Sequence, residues 1–226
     1  MTMTLRLTLL CAICVPLPAL PAKQRVEAVK TESVEFRAGG TIRVEGAIGQ
    51  LNVVGWDEPR VEIAVTRYTY SSAQERARAT AGLEAVQVSK QVAQNGDLTI
   101  TVSHQHAGDT ALDLQLMAPR GAHLVIREDK GDVAVLDVGG NVDATNRCGS
   151  IVLQLPQPGD YAIEASAGMG GVTSDFDGES RRRRLVGEIY SHKGGSQART
   201  IHLRTKAGGI AIQKMEARPA RPGIIN

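Results

Sequence analysis

The chain has 226 residues, 26 Lys and Arg against 24 Asp and Glu, and only 3% aromatic side chains. A net charge of +2 is too small for a nucleic-acid binder, which carries a clear basic excess. Three cysteines cannot make a disulfide scaffold.

The N-terminus reads as an export signal. Arg6 supplies positive charge, Leu5 to Val15 is apolar apart from Arg6 and Thr8, and Pro16 and Pro18 break the run before Ala19-Leu20-Pro21-Ala22. The run is shorter than the ~20 residues that span a bilayer. Residues 1–22 are therefore expected to be a signal peptide. Residues 23–216 follow as a single β-repeat domain and 217–226 as an extended tail. No membrane span is expected after cleavage. Cys11 and Cys14 leave with the signal, so Cys148 has no intramolecular partner.

From residue 40 onward the dominant pattern is alternation with period 2, restarted by glycine. Ile42 and Val44 share a face after Gly40, and Leu51 and Val53 do so after Gly49. Val61, Ile63 and Val65 continue the theme. Ser72 and Glu75 form a capping-box pattern, and the Ala- and Arg-rich stretch behind them predicts a short helix at about 72–83 that could cover an open end of the β body. Asn95-Gly96 between Val92 and Leu98 predicts a hairpin. Gly131, Gly140 and Gly149 are spaced by nine and nine, each followed by an alternating segment. Ile201 and Leu203, then Ile210 and Ile212, close the series. A strand plus a three-residue corner accounts for nine. The fold class is thus all-β, a β-solenoid or β-helix-like stack of short strands with one short inserted helix, in which each coil buries its apolar face on its neighbours. The alternative is an antiparallel β-sandwich.

The stretch Met117-Ala118-Pro119-Arg120-Gly121-Ala122-His123-Leu124-Val125-Ile126 and the Gly131, Gly140, Gly149 and Gly208-Gly209 segments resemble the bacterial putative-adhesin family of unknown function. That family shows Pro-x-Gly followed by repeated Gly-x-[Ile/Val]-x-[Val/Leu] strands. The resemblance covers about Leu112–Lys214 and, more loosely, Val34–Val65. It implies a β-solenoid-like fold at the cell envelope and carries no catalytic residues.

Two clusters are candidate sites. His104 and His106 share the parity of Leu98, Ile100 and Val102, and such a pair ligates zinc or copper if Asp109 or Asp113 joins. The plain alternative is a strand running into solvent. Arg181, Arg182, Arg183 and Arg184 could grip phosphate or carboxylate groups of an anionic envelope polymer. Their plain alternative is a solvated loop balanced by Asp175, Asp177 and Glu179. No calcium, phosphate-loop or nucleophile-elbow motif is complete, and no cofactor is expected. Asp132, Asp143 and Glu164 are scattered acids in the strand pattern. The reading is a non-enzymatic exported envelope protein with an adhesin-like surface-interaction or envelope-maintenance role. Its partner would be an anionic envelope polymer or another envelope protein, in the periplasm or at the surface. A polysaccharide-active β-helix enzyme and a periplasmic metal-binding protein are the alternatives.

Overall fold

The computed structural model describes residues 23–46, 48–84, 86–103, 110–183 and 186–215. The first half contains β1 (Gln24–Glu35), β2 (Thr41–Glu45), β3 (Leu51–Trp56), β4 (Arg60–Ser71), α1 (Arg76–Glu84), β5 (Gln87–Val92), β6 (Leu98–Ser103) and β7 (Ala111–Pro119). The second contains β8 (His123–Lys130), β9 (Val133–Leu136), β10 (Val142–Cys148), β11 (Ile151–Pro156), β12 (Tyr161–Met169), β13 (Val172–Ser174), β14 (Glu179–Arg183), β15 (Gly187–His192), β16 (Arg199–Ala207) and β17 (Ile210–Met215). The all-β expectation holds.

Alternation decides what is buried. Ile42 and Val44 on β2, Leu51 and Val53 on β3, and Ile151, Leu153 and Leu155 on β11 are at most 1% exposed, while the residues between them face outward. One continuous apolar core lies between two sheets. Sheet A has eight strands in the order β1-β4-β7-β3-β9-β11-β17-β13, and sheet B has nine in the order β14-β15-β12-β16-β10-β8-β2-β6-β5.

The nine-residue spacing is half of a two-strand rung. One strand runs in sheet B, the chain turns a corner, and the next runs in sheet A. Ile151 pairs with Val133 and Val142 with Leu124, each 18 positions away. The six rungs stack in parallel in the same order in both sheets: β6/β7, β2/β3, β8/β9, β10/β11, β16/β17, β12/β13. This is not the chain order, which a simple solenoid would follow. After β3 the chain detours through β4, α1 and β5 and lays β6/β7 outside β2/β3. After β13 it detours through β14 and β15, and β16/β17 then fills the place between β10/β11 and β12/β13. Antiparallel pairing is confined to the two ends of the stack, so the sandwich alternative describes only the flanks. The Asn95-Gly96 hairpin joins β5 to β6 as expected, with Gly96 at φ +85°.

The corners leading into sheet A explain the glycines. Gly49, Gly131, Gly149, Gly208 and Gly170 all have φ between +134° and +145°. Each of the first four donates its N–H to a carbonyl of the adjoining rung: Lys130, Cys148, Ala207 and Met169 in turn. A Cβ on Gly131 would sit 1.5 Å from the Gly49 carbonyl oxygen, and one on Gly149 would sit 1.9 Å from that of Gly131. Neither the dihedral nor the approach admits a side chain.

The ends of the stack are closed differently. At one end α1 lies over β4 and β1 and buries only Leu83. Its start differs from the predicted capping box. Ser72 Oγ donates to Glu75 Oε2 at 3.0 Å, so the two side chains satisfy each other instead of the backbone amides, and Ala73–Glu75 is a 3-10 turn. At the other end Tyr190 donates to the Phe176 carbonyl at 2.7 Å, and Phe176 meets Tyr161 edge-to-face.

Candidate functional site

The outward face of sheet B carries most of the charge that the strands of the rungs display. Pairing across the strands sets Arg127, Thr145, Arg204 and Ser166 in one row, from β8 through β10 and β16 to β12. The next row outward toward the glycine corner holds Arg147 and Lys206. Most of this charge is neutralised in place. Arg127 forks onto Asp143 at 2.6 and 3.1 Å, Arg147 reaches Asp129 at 3.0 Å and Arg43 lies 3.8 Å from Glu45, while His202 Nε2, 3.6 Å from Glu164, pairs with it only when the imidazole is protonated. Arg204 and Lys206 are exposed and have no ion-pair partner among the described residues.

These two cations line a hollow of about 470 Å³ together with Thr145, Ser166, Gly168 and Met169. Gly168 lets two strands approach closely at its wall. The β12 backbone lies so close to β16 that a Cβ at Gly168 would stand 2.7 Å from the Lys206 carbonyl oxygen. A second hollow of about 370 Å³ adjoins it, shares Thr145, Asn146 and Lys206, and extends to Arg127, Glu128 and Asp129.

A buried polar row underlies both hollows. Glu128, Asn146 and Thr205 occupy matching inward positions on β8, β10 and β16. Asn146 Nδ2 donates to the Gly131 carbonyl at 2.7 Å, and Thr205 Oγ1 donates to the Gly149 carbonyl at 3.0 Å. Both serve corner carbonyls that face the interior. Glu128 is 5% exposed, and neither of its carboxyl oxygens has a partner among the described residues. Burial, and secondarily the adjacent Asp129 charge, pushes its carboxyl up to about 8.

Within the described part of the arginine run, Arg181 and Arg182 lie on opposite faces of the strand. Strand β14 alternates its side chains: Arg181 pairs with Ile189, on the outward face, and Arg182 pairs with Glu188, on the opposite side. Register continues from Ile189 to Ser166 and Arg204, so Arg181 stands in the same row as the hollow, three strands away. The Arg183 backbone pairs with Gly187. Arg184 and the side chain of Arg183 lie outside the described residues, as do His104, His106, the expected signal 1–22 and the tail 217–226. Among the described residues no three His, Cys, Asp or Glu side chains are placed to hold a metal ion. Asp143 and Glu164 are not scattered, because they flank His202 in one row. Asp132 caps a corner by accepting from the Ser150 N–H at 2.8 Å. Sequence reasoning did not single out Arg204 and Lys206; the signal that places them on the outward face is their shared parity with His202, opposite to Ile201 and Leu203. Their isolation from acids was not legible, because Thr145 and Ser166 come from other strands.

No family model matches the sequence, and no curated protein does. The fold is similar to solved structures that share one kind of name. One is a putative cell adhesion protein from Clostridium sporogenes, 13% identical, covering 84% of this chain and 100% of that one with a TM-score of 0.45. Another is a putative adhesin from Bacteroides fragilis, 9% identical, covering 83% and 97% with a TM-score of 0.35. A third is a putative adhesin from Parabacteroides distasonis, 12% identical, covering 82% and 70% with a TM-score of 0.25. No helix among the described residues is long and apolar enough to cross a membrane.

Proposed function

We propose that the protein is an exported, non-enzymatic, adhesin-like binding protein of the cell envelope, and that the outward face of sheet B is its contact surface. The observation that carries this reading is the pair of unpartnered cations, Arg204 and Lys206, on a face whose acids are mostly engaged. An open sheet of short parallel strands offers repeated side-chain rows, which suits contact with an extended partner. Asp143 and Glu164, the acids nearest to what a glycan-cleaving enzyme needs, are turned to Arg127 and His202 side by side on that open face. Glycosidase carboxyls instead confront each other at ~5–10 Å across a bound sugar.

The test uses residues 23–226, purified and incubated with washed envelope fractions from a bacterial cell. Retention on the envelope, with none on cytosolic protein-coated beads, is expected. Failure to be retained, or turnover of envelope glycans at enzymatic rates, would overturn the reading.

A further inference from the structure

We infer that the Arg204–Lys206 hollow is a binding site for the acidic groups of a linear anionic glycan, a deepening that rests on the contact surface proposed above. Arg204 and Lys206 alternate on one strand, so their backbones are separated by roughly 7 Å along it. Thr145 and Ser166 stand in the same row on the flanking strands, each roughly 5 Å to the side. A sugar acid presents this combination: one charged group for the guanidinium and ammonium, and hydroxyls for the two side-chain hydroxyls.

The surroundings select among anions. The bases of single-stranded nucleic acid are held largely by stacking on aromatic faces, and no aromatic side chain lines the hollow. Met169, 58% exposed, is the one large apolar group at its rim, too little to anchor a lipid surface. The site therefore depends on charge and hydroxyl contacts. Along the row, Arg127 lies two strands from Arg204 on one side, and Arg181 lies three strands away on the other. Arg127 is already spent on Asp143, whereas Arg181 has no ion-pair partner among the described residues. A chain laid across the strands from the hollow toward β14 thus meets a second free guanidinium at the sheet edge, roughly 14 Å on at the usual strand spacing.

The experiment measures equilibrium binding of residues 23–226 to polygalacturonate and to heparin, with dextran as the neutral probe. Binding to either polyanion and none to dextran is expected. The double variant Arg204→Gln/Lys206→Gln should bind at least tenfold more weakly. Arg76→Gln/Arg78→Gln, which removes the same charge from exposed positions of α1, should bind within twofold of the wild type. All four side chains are exposed, and thermal unfolding of each variant checks that the fold is kept. Equal losses in both double variants would reduce the effect to net charge and overturn the site. So would an unchanged Arg204→Gln/Lys206→Gln protein. Polygalacturonate against heparin separates a carboxylate from a sulfate preference. Envelope retention distinguishes the two proposals: a double variant still held by the envelope sinks this site alone, while a wild type not held there sinks the contact-surface reading.

Discussion

Glu128 offers the sharpest test of the interior. Its carboxyl lies inside the sheet pair with no hydrogen-bond partner among the described residues and titrates near 8 instead of 4.5, chiefly through burial. Between those two values the folded chain holds a proton that the unfolded chain has released. Stability must then fall as pH rises, by up to ~1.36 kcal/mol per pH unit. The cost is absent below about pH 4.5 and complete above about pH 8. Over pH 5 to 8 it amounts to about 3.5 kcal/mol, a large share of the ~5–15 kcal/mol that holds a typical domain. Glu128→Gln removes the titration and keeps a donor at a position where Asn146 and Thr205 both donate to corner carbonyls. Urea unfolding of wild type and variant at pH 5, 6, 7 and 8 reads the difference directly. The variant should gain steadily on the wild type across that range. A stability difference that stays constant from pH 5 to pH 8 would refute the reasoning, because it would mean that Glu128 ionises as readily folded as unfolded.

Gly149→Ala should cost more than about 3 kcal/mol or prevent folding, since φ is +137° and the new methyl would fall 1.9 Å from the Gly131 carbonyl oxygen; thermal unfolding, or the yield of folded protein, checks it. Asn146→Ala leaves the Gly131 carbonyl and the Cys148 N–H without their side-chain partner in a buried site, and a loss of about 2–3 kcal/mol in chemical unfolding is expected. Tyr190→Phe removes only the bond to the Phe176 carbonyl and should lower stability by about 1 kcal/mol without changing the far-ultraviolet circular dichroism.

Much of this architecture was legible in residue order because it depends on local rules. Ile42, Val44, Leu51 and Val53 could be assigned to the core by parity alone, and Gly131, Gly140 and Gly149 marked successive corners. The order in which rungs stack was not legible. Each rung presents similar Val, Ile and Leu side chains inward, so β8/β9 fits the apolar face of β2/β3 as well as that of β6/β7. The choice is made by the antiparallel detours, whose pairings of β4 with β7 and of β15 with β12 are long-range. The placement of Arg181 and Arg182 on opposite faces follows from the same period: adjacent residues on a strand point to opposite sides. Cations that do share a face, Arg204 and Lys206, are separated by an inward Thr205 and look unremarkable in sequence. Glu128 was readable as inward from Leu124 and Ile126, but its lack of a partner depends on strands elsewhere in the chain.

The displaced rung order bears on how the molecule is assembled in time. A chain delivered from its N-terminus can complete four consecutive rungs by β11. The fifth, β12/β13, has no place to dock when it emerges, because its only rung neighbour is β16/β17, which arrives last. Residues 199–215 therefore act as a keystone. Until they are delivered, the aromatic end with Tyr161, Phe176 and Tyr190 is a separate fragment, and one apolar edge of the four-rung block stays uncovered. Completion of the stack must wait for β16 and β17, so the rung order is set by strands that lie far downstream of those they separate.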